Sequence, residues 1–435
     1  MRSNFQTLKL RDVIEIVIDN RGRNPKSYSD YGVPVIDNYL IVSEAEADLS
    51  QVKRYIDEHT YNTFIRKYIS KGDVLMTLVG NGYGKVAITP EQQCIIIQNT
   101  IGLRCNKDND NLYLYYLLKA NREVLMNLNR GAAQPSIKVG DILDLEFTFP
   151  PLHIQQKIGS TLGDLDKKSS LNSQANQTLE EMAQAIFKSW FVDFDPVKAK
   201  MNGEQPEGMD AATASLFPEK LVESELGLIP EGWSVEQAKS QFDVLRGFSY
   251  KGKGLVGSLD EGVPMHNLNS VLEGGGYKYA GLKFYSEEFK EKFAIQEGDV
   301  LVANTEQGHN HLLIGYGAMV PKHLAHGFFS HHTYRVRPKN NSNMTPEFIE
   351  RLFGKGRFVR QVQGFTNGTT VNMLPVAGME MPQFIVPSKA LTQKFSVLVK
   401  PIKAMIEENH KSNIELAKLR DTLLSKLLSG EITLD

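Results

Sequence analysis

Two stretches of the chain, residues 158–189 and 395–426, carry the same heptad pattern of apolar positions in the same order. Their main core positions match at a constant displacement of 237 residues: Ile158, Leu165, Asn172, Leu179 and Ile186 against Phe395, Ile402, Asn409, Leu416 and Leu423. An apolar stripe with a period of 3.5 residues predicts one side of a coiled coil, and it needs a partner helix to cover it. The pattern therefore predicts two long helices, over about residues 153–192 and 391–428, that pack on each other.

Each repeat has an asparagine at the third of its five main core positions, Asn172 in the first and Asn409 in the second. If the helices run antiparallel with their midpoints aligned, the two asparagines meet across a pseudo-twofold axis. A polar residue in an apolar seam costs stability and fixes the register of the helices. The sequence thus predicts an antiparallel coiled coil with Asn172 and Asn409 in register. Two independent polar interruptions on partly exposed helices are the alternative.

The regions before the two helices also repeat in outline. Short β-branched runs, broken by glycine, asparagine and aspartate, are typical of strands, and one helical stretch follows in each region, over residues 111–127 and 345–361. Matching segments are residues 33–38 and 263–267, 71–75 and 297–301, and 82–86 and 315–319. We therefore expect an α+β protein with two globular α/β domains in a pseudo-twofold arrangement, separated by the two long antiparallel helices.

The predicted boundaries follow from these patterns. Residues 193–232 are rich in proline, glycine and glutamate, which is typical of a linker lying against the surface. The predicted order is a first domain over residues 1–153, a first helix over 154–192, the linker over 193–232, a second domain over 233–388, and a second helix with a C-terminal tail over 389–435.

Composition narrows the classes of function. The 435 residues include 49 basic and 51 acidic ones, for a net charge of −2. This balance argues against a strongly electrostatic nucleic-acid binder, unless basic residues cluster locally or a partner supplies the charge. Two cysteines, Cys94 and Cys105, suggest neither a disulfide framework nor a zinc site. No run of eighteen apolar residues and no signal-peptide pattern occurs, so we expect a cytoplasmic protein.

Motifs for catalysis do not fit. An amino-methyltransferase needs a D/N-P-P-aromatic loop, and the nearest strings, at residues 24–27 and 149–152, do not match it. Residues 80–85 form a glycine-rich string one residue shorter than a phosphate loop, and Val86 stands where a magnesium-binding hydroxyl belongs. Residues 309–311 spell His-Asn-His only by coincidence with a nuclease motif. The remaining histidines of interest are expected on the surface or facing DNA rather than at a metal: His323, His326, His331 and His332.

Three segments carry a resemblance to a known family. They are MAQAIFKSWFVDFDP at residues 182–196, GLIPEGW at 227–233 and LRDTLLSKLLSGEI at 419–432. They resemble the central and C-terminal conserved regions of the specificity subunit, HsdS, of type I restriction-modification systems. The resemblance covers the whole chain, although the two domains match only in outline.

The resemblance implies a function and partners. Each domain would be a target-recognition domain that reads one half of a bipartite site in double-stranded DNA. The helices, about 50 Å long for roughly 35 residues, would set the spacer and dock two modification subunits, which restriction subunits join. The chain would have no catalytic residue and no metal or cofactor of its own, since S-adenosylmethionine, ATP and magnesium would belong to its partners. A coiled-coil scaffold unrelated to DNA and a solitary DNA-modifying enzyme are the alternatives.

Candidate DNA contacts lie on three pairs of loops at equivalent places in the two domains, and on one basic helix. Arginine can fork onto guanine, lysine can hold phosphate, and amides suit adenine edges. The first pair contributes Arg21, Arg23, Asn24 and Lys26 with Arg246, Lys251 and Lys253; the second, Asn81, Tyr83 and Lys85 with Asn304, Glu306, Gln307, His309 and Asn310; the third, Gln134 and Lys138 with Asn367 and Thr369; the helix, Arg351, Lys355, Arg357 and Arg360. A solvated surface is the alternative for the first pair and the helix, and a helix-capping role for the third pair.

Overall fold

The computed structural model describes residues 5–22, 24–42, 45–80, 82–131, 134–308, 310–368 and 370–432. The chain divides into two compact units. Unit 1 comprises Met1–Gln174 and Asn409–Asp435, and unit 2 comprises Ala175–Glu408. Both boundaries fall inside the long helices, so each unit contains one globular domain and a part of each long helix.

Unit 1 is a mixture of short strands and helices. Its strands are β1 (Gln6–Lys9), β2 (Ile14–Ile18), β3 (Val33–Ile36), β4 (Tyr55–Ile56), β5 (Val74–Thr77), β6 (Val86–Ile88), β7 (Ile95–Ile96), β8 (Thr100–Cys105) and β9 (Glu146–Phe149). Its helices are α1 (Leu10–Val13), α2 (Glu58–Phe64), α3 (Asn111–Ala120), α4 (Arg122–Asn127) and α5 (Val139–Leu143), and the long α6 (Leu152–Phe191) begins here and ends in unit 2.

Unit 2 repeats this mixture with insertions. Its strands are β10 (Leu221–Ser224), β11 (Gly227–Pro230), β12 (Ser234–Gln237), β13 (Phe242–Arg246), β14 (Leu255–Val256), β15 (Val263–His266), β16 (Lys283–Tyr285), β17 (Val300–Ala303), β18 (Thr305–Gln307), β19 (Gly317–Met319), β20 (Phe328–Phe329), β21 (Thr333–Pro338), β22 (Val371–Met373) and β23 (Gln383–Val386). Its helices are α7 (Asp195–Met201), α8 (Ala211–Ser215), α9 (Ala238–Gln241), α10 (Pro346–Leu352), α11 (Arg357–Gln363) and α12 (Ala377–Glu380), and the long α13 (Lys389–Leu428) begins here and ends in unit 1.

The two domains have corresponding sheets. A four-stranded antiparallel sheet has the order β2-β8-β5-β6 in unit 1 and β13-β21-β17-β19 in unit 2. Its register is equivalent in the two units, because Val74 of β5 faces Leu103 of β8 and Val300 of β17 faces Val336 of β21. A second sheet, β4-β3-β7 or β14-β16-β15-β20, contains one parallel pair in each unit. The predicted α+β duplication is confirmed.

A repeated Gly-Asp turn shows why the central strands begin where they do. Gly72 and Gly298 have φ angles of +85° and +87°, a region that glycine adopts without strain. The following aspartates are buried, and each accepts two hydrogen bonds from an arginine on the neighbouring strand. Arg104 donates to Asp73 at 2.8 and 2.7 Å. In unit 2 the partners are Arg337 and Asp299. These paired arginines are therefore structural and belong to the sheet.

The long helices are confirmed, and their segments pack antiparallel within each unit. In unit 1, Ile158 and Leu162 of α6 share a core with Leu424 and Leu427 of α13. In unit 2, Phe187 of α6 shares a core with α13 residues, and its ring lies 5.8 Å from that of Phe395, centroid to centroid. Later residues of α6 thus meet earlier residues of α13, as the heptad pattern predicts.

The polar layer in this seam differs from the predicted one. Asn172 is only 6% exposed, and its amide donates to Asn413 Oδ1 at 2.9 Å and to Ser412 Oγ at 3.3 Å. Asn413 in turn donates to the carbonyl of Ser169 at 3.2 Å. Both amide hydrogens of Asn172 are satisfied one helical turn beyond Asn409. The predicted partner of Asn172 is therefore corrected from Asn409 to Asn413, because serines complete the polar layer there.

Residues 193–232 are a packed part of unit 2, so their interpretation as a surface linker is wrong. They form α7, α8 and the antiparallel hairpin β10–β11. Val197, Phe217 and Ile229 are at most 3% exposed and join the core of unit 2. The ring of Phe217 lies 5.2 Å from that of Trp190 at an interplanar angle of 89°. Apolar residues scattered among proline, glycine and glutamate are what bury this segment. Among the described residues, no helix has the length and apolar character needed to cross a membrane.

Candidate nucleic-acid interface

In unit 2 the first two candidate loops begin at the same end of the four-stranded sheet. β13 ends at Arg246, which faces Tyr334 of β21. β17 ends at Ala303, which faces Thr333, the first residue of β21. Because neighbouring antiparallel strands place these ends side by side, the loops after β13 and β17 lie next to the segment that enters β21.

Unit 1 has the same arrangement. β2 ends at Ile18, opposite Gly102 of β8, and β5 ends at Thr77, opposite Thr100, the first residue of β8. The loop that carries Arg21 and the loop that follows β5 therefore lie at the same end of this sheet as well. Equivalent positions in sequence have become equivalent positions in space.

The third candidate loop joins the second in both units. In unit 1, the amide of Gly80 donates to the carbonyl of Pro135 at 3.0 Å. In unit 2, β18 pairs with β22 so that Glu306 faces Asn372, and the Asn372 side chain donates to the carbonyl of Gly308. The structure thus brings all three predicted loops together in each unit, at the end of the four-stranded sheet where β13 and β17, or β2 and β5, terminate. We call this end of the sheet the loop edge.

Most predicted residues of unit 1 remain available on the loop edge, with one change in charge. Arg21 forms an ion pair with Asp19, with Nη2 2.6 Å from Oδ2 and Nε 2.9 Å from Oδ1. The hydrogen bonds from Arg21 hold the pKa of Asp19 below its usual value despite partial burial. Asn24 and Lys26 are exposed, whereas Arg23 lies outside the described residues. The guanidinium of Arg21 is therefore neutralised by its own loop.

The other two loops of unit 1 present a mixed surface. Gln134 and Lys138 are exposed. Tyr83 and Lys85 are half-buried, and Tyr83 packs against the core of unit 1. Asn81 lies outside the described residues. An aromatic ring held by the core can contact a sugar-phosphate backbone or a base edge.

In unit 2 the structure adds a histidine pair that sequence reasoning placed only in general terms. His331 and His332 immediately precede β21, and their ring centroids lie 4.0 Å apart. His332 is exposed, and its Nδ1 lies 3.1 Å from Thr305 Oγ1. Partial desolvation of the ring, followed by the electrostatic effects of His331 and Arg246, lowers the pKa of His332. The signal that could have located this pair is its position just before the strand that faces both loop-bearing strands.

Two residues of unit 2 that were predicted to contact DNA are buried beneath the loop edge and hydrogen-bond to its backbone. Their predicted role as DNA contacts is therefore corrected to a structural one. Asn304 is 2% exposed, and its amide donates to the carbonyl of His331 at 3.1 Å. Glu306 is 7% exposed. Its carboxylate accepts hydrogen bonds from three successive backbone amides, at 2.8, 3.0 and 2.9 Å: Leu312, Leu313 and Ile314. Because these side chains are buried and engaged, they shape the loop, while Gln307 and Asn310 on it are exposed.

The remaining predicted residues of unit 2 differ in their surroundings. Lys251 and Asn367 are exposed. Lys253 is also exposed and forms an ion pair with Glu287, at 2.9 Å. His309 and Thr369 lie outside the described residues. Which of the exposed residues contact DNA stays a prediction.

The predicted basic helix is two short helices, and one of its arginines is buried. Arg351 at the end of α10 is 6% exposed, and it donates two hydrogen bonds to Glu180 of α6, at 2.6 and 3.0 Å. Its prediction as a phosphate-facing residue is therefore wrong, since its charge joins the domain to the helix. Arg357 and Arg360 of α11 are exposed, as is Lys355 before it. Arg357 also donates to a backbone carbonyl at 2.9 Å.

The chemistry of the loop edges is that of recognition. Their exposed groups are amides, ammonium and guanidinium groups and imidazole rings, which donate to or accept from phosphates and base edges. Within the described ranges, no group of three or more histidine, cysteine, aspartate or glutamate residues is placed to hold a metal ion.

Comparisons with known proteins agree with this geometry. Residues 2–181 match the family model described as the type I restriction modification DNA specificity domain. The chain is 25% identical to the type I restriction enzyme MjaIX specificity subunit of Methanocaldococcus jannaschii, over 99% of this chain and 94% of that protein. It is also 25% identical to the HindI specificity subunit of Haemophilus influenzae, over 84% of this chain and 88% of that protein. A crystal structure of a type I S subunit from M. genitalium has the same fold, with a TM-score of 0.54 at 14% identity, covering 98% of this chain and 96% of that one.

Proposed function

We propose that this chain is a type I restriction specificity subunit and that it gives a type I restriction-modification complex its DNA sequence preference. The observation that carries the proposal is the repeated loop edge. The same three loops meet at the same sheet edge in both units, but they carry different side chains. One architecture with two sets of loop residues suits a bipartite target with two unlike halves.

The long helices are proposed to set the spacer between the half-sites and to dock two modification subunits. Each has 40 residues, which corresponds to about 60 Å of α-helix, more than one turn of B-DNA at about 34 Å. Both helices expose large apolar side chains at half or more of their surface, which suits a protein partner. Examples are Met182 on α6 and Val397, Met405 and Ile414 on α13.

Catalysis is proposed to belong to the partners. The modification subunits would bind S-adenosylmethionine and methylate the DNA, and the restriction subunits would use ATP and magnesium. The chain would hold no cofactor and would work in the cytoplasm. A solitary enzyme would instead cleave or methylate DNA as the purified chain alone.

Methylation of a randomised DNA library by the purified chain with its modification subunits tests the proposal. We expect methylated products to share two short specified segments separated by an unspecified spacer. The coiled-coil scaffold alternative predicts no sequence preference that depends on this chain. Omitting the chain is the control, because the modification subunits alone should then select no bipartite sequence.

A further inference from the structure

Among the described residues, Arg246 has a hydrogen-bond partner for one of its three guanidinium nitrogens. Its Nε donates to the backbone carbonyl of His331 at 3.2 Å, and the side chain is exposed. Within the part of the chain that the structure describes, no acceptor lies within hydrogen-bonding distance of its two terminal nitrogens. A guanidinium held at Nε keeps its two terminal nitrogens for a ligand. Two parallel N–H donors match O6 and N7 of guanine in the major groove.

His332 lies near the guanidinium of Arg246, and the hydrogen-bonding roles of its two ring nitrogens can be assigned. Its lowered pKa makes the ring neutral near pH 7. The contact between Nδ1 and Thr305 Oγ1 engages one ring nitrogen. When the hydroxyl donates to Nδ1, Nε2 carries the hydrogen and becomes a donor. Among the described residues, Arg246 and Tyr250 are the titratable or charged groups that face the histidine pair, and the ring of Tyr250 lies 6.1 Å from that of His331.

The layer behind these two residues contains unsatisfied polar atoms. Asn304 Oδ1 and His331 Nδ1 are buried and have no hydrogen-bond partner among the described residues. Buried polar atoms without partners are uncommon in native proteins. Their presence directly behind Arg246 and His332 indicates a segment that is arranged for binding at some cost to its own stability.

Unit 1 has the opposite charge at the equivalent place. The sheet register makes Asp19, the residue after β2, the counterpart of Arg246. Asp19 binds the guanidinium of Arg21, so that loop presents a neutral ion pair. Asn99, before β8, takes the place of His332, since each residue's carbonyl accepts from the first residue after the central strand. The two loop edges therefore differ at their closest structural counterparts.

We propose that Arg246 and His332 read a purine step in the half-site bound by unit 2, with Arg246 forked onto a guanine and His332 donating Nε2–H to N7 of the neighbouring purine. The half-site bound by unit 1 is read at the equivalent place by groups other than a free guanidinium. This inference rests on the proposed function and specifies which bases one half of the target contains.

The test uses the complete methyltransferase complex with Arg246→Ala, Arg246→Lys or His332→Ala in this chain. The substrates carry the wild-type site with each position of both half-sites varied in turn. Arg246→Ala should reduce the preference for guanine at one position of the unit 2 half-site by roughly 5- to 150-fold. Arg246→Lys keeps the charge but loses the fork, so it should retain methylation while losing most of that preference. His332→Ala should relax only the adjacent position.

Lys339→Ala is the matched control. This lysine follows the last residue of β21, at the end of the same sheet opposite the loop edge. It donates to the carbonyl of Lys239. It should leave base preference unchanged in both half-sites. Tryptophan fluorescence of each variant should match the wild type, which excludes misfolding as the cause of relaxed preference.

Three results would overturn the inference. They are a wild-type unit 2 half-site without guanine, a uniform loss of methylation for all four bases in Arg246→Ala, and a changed preference in the unit 1 half-site. A wild-type complex with no sequence preference at all would instead refute the proposed function.

Discussion

Removing the ammonium group of Lys403 should strongly destabilise unit 2. Lys403 on α13 forms an ion pair with Glu350 of α10, and the two side chains are 15% and 8% exposed. Glu350 also accepts from the Met319 amide at 3.1 Å and lies 3.9 Å from Arg351. Burial disfavours the ionised carboxylate, but Lys403 and Arg351 together hold the pKa of Glu350 below its usual value. Lys403→Met would leave this buried charge with only part of its compensation.

The expected cost follows from the burial of the pair. Breaking a buried ion pair from one side costs about 3–5 kcal/mol, because the remaining charge stays desolvated. With a urea dependence of about 3 kcal/mol per molar, the unfolding midpoint should fall by roughly 1–1.7 M. Both tryptophans of the chain, Trp190 and Trp233, lie in the core of unit 2, so tryptophan fluorescence follows the unfolding of that unit.

A second variant and a control make this test specific. Adding Glu350→Gln to Lys403→Met removes the stranded charge and should recover most of the lost stability. Lys400→Met changes a side chain on the same helix that is 67% exposed and 4.0 Å from Glu347. It should change the free energy of unfolding by no more than about 0.5–1 kcal/mol. If Lys403→Met costs less than about 1 kcal/mol, or if the double variant is as destabilised as the sum of both single variants, the Glu350 carboxylate does not depend on Lys403 for its compensation.

Three further predictions concern other parts of the molecule. Burial lowers the pKa of His266 from 6.5 to about 4, so protonation favours the unfolded state as pH falls. The free energy of unfolding of unit 2 should decrease on the order of 3 kcal/mol between pH 6.5 and pH 4. Urea titrations across that range should show a smaller decrease for His266→Asn. Exchanging residues 1–153 for the corresponding domain of a related specificity subunit should change one half-site in a methylation assay. A change in both half-sites would contradict the proposal that each domain reads one half-site. Inserting one heptad into α6 and one into α13 adds about 10 Å of rise and should lengthen the preferred spacer by up to about 3 bp. An unchanged spacer would refute the proposal that the long helices set it.

The long helices and the repeated sheets could be predicted from the sequence because their signals are local and periodic. The observed helices begin and end within two residues of the predicted limits. The Gly-Asp turns were equally visible, since a left-handed glycine before a buried strand leaves a short and distinct pattern. The partner of Asn172 was not predictable in the same way. It depends on which polar residues of α13 lie opposite, and position in a heptad does not specify that choice.

The sequence predicted loops at equivalent places in the two domains, and the structure brings these loops together in each unit. Their contact with DNA stays a prediction, and the state of individual side chains could not be predicted. Arg21 and Arg246 are indistinguishable as exposed basic residues in the sequence, yet Asp19 neutralises the first and a carbonyl holds the second. Arg351 looks like a surface charge of a basic helix, and only the packing of α10 against α6 buries it with Glu180. Burial and pairing are properties of tertiary contacts, which a single sequence does not reveal.

We propose that two loop edges with unlike residues read the two halves of one DNA target. The most direct measurement is methylome sequencing of cells that carry this chain together with its modification subunits, compared with cells that lack only this chain. We expect a methylated motif with two different specified segments and an unspecified spacer, present only in cells that carry the chain. A continuous or palindromic motif, or methylation that does not depend on the chain, would contradict it.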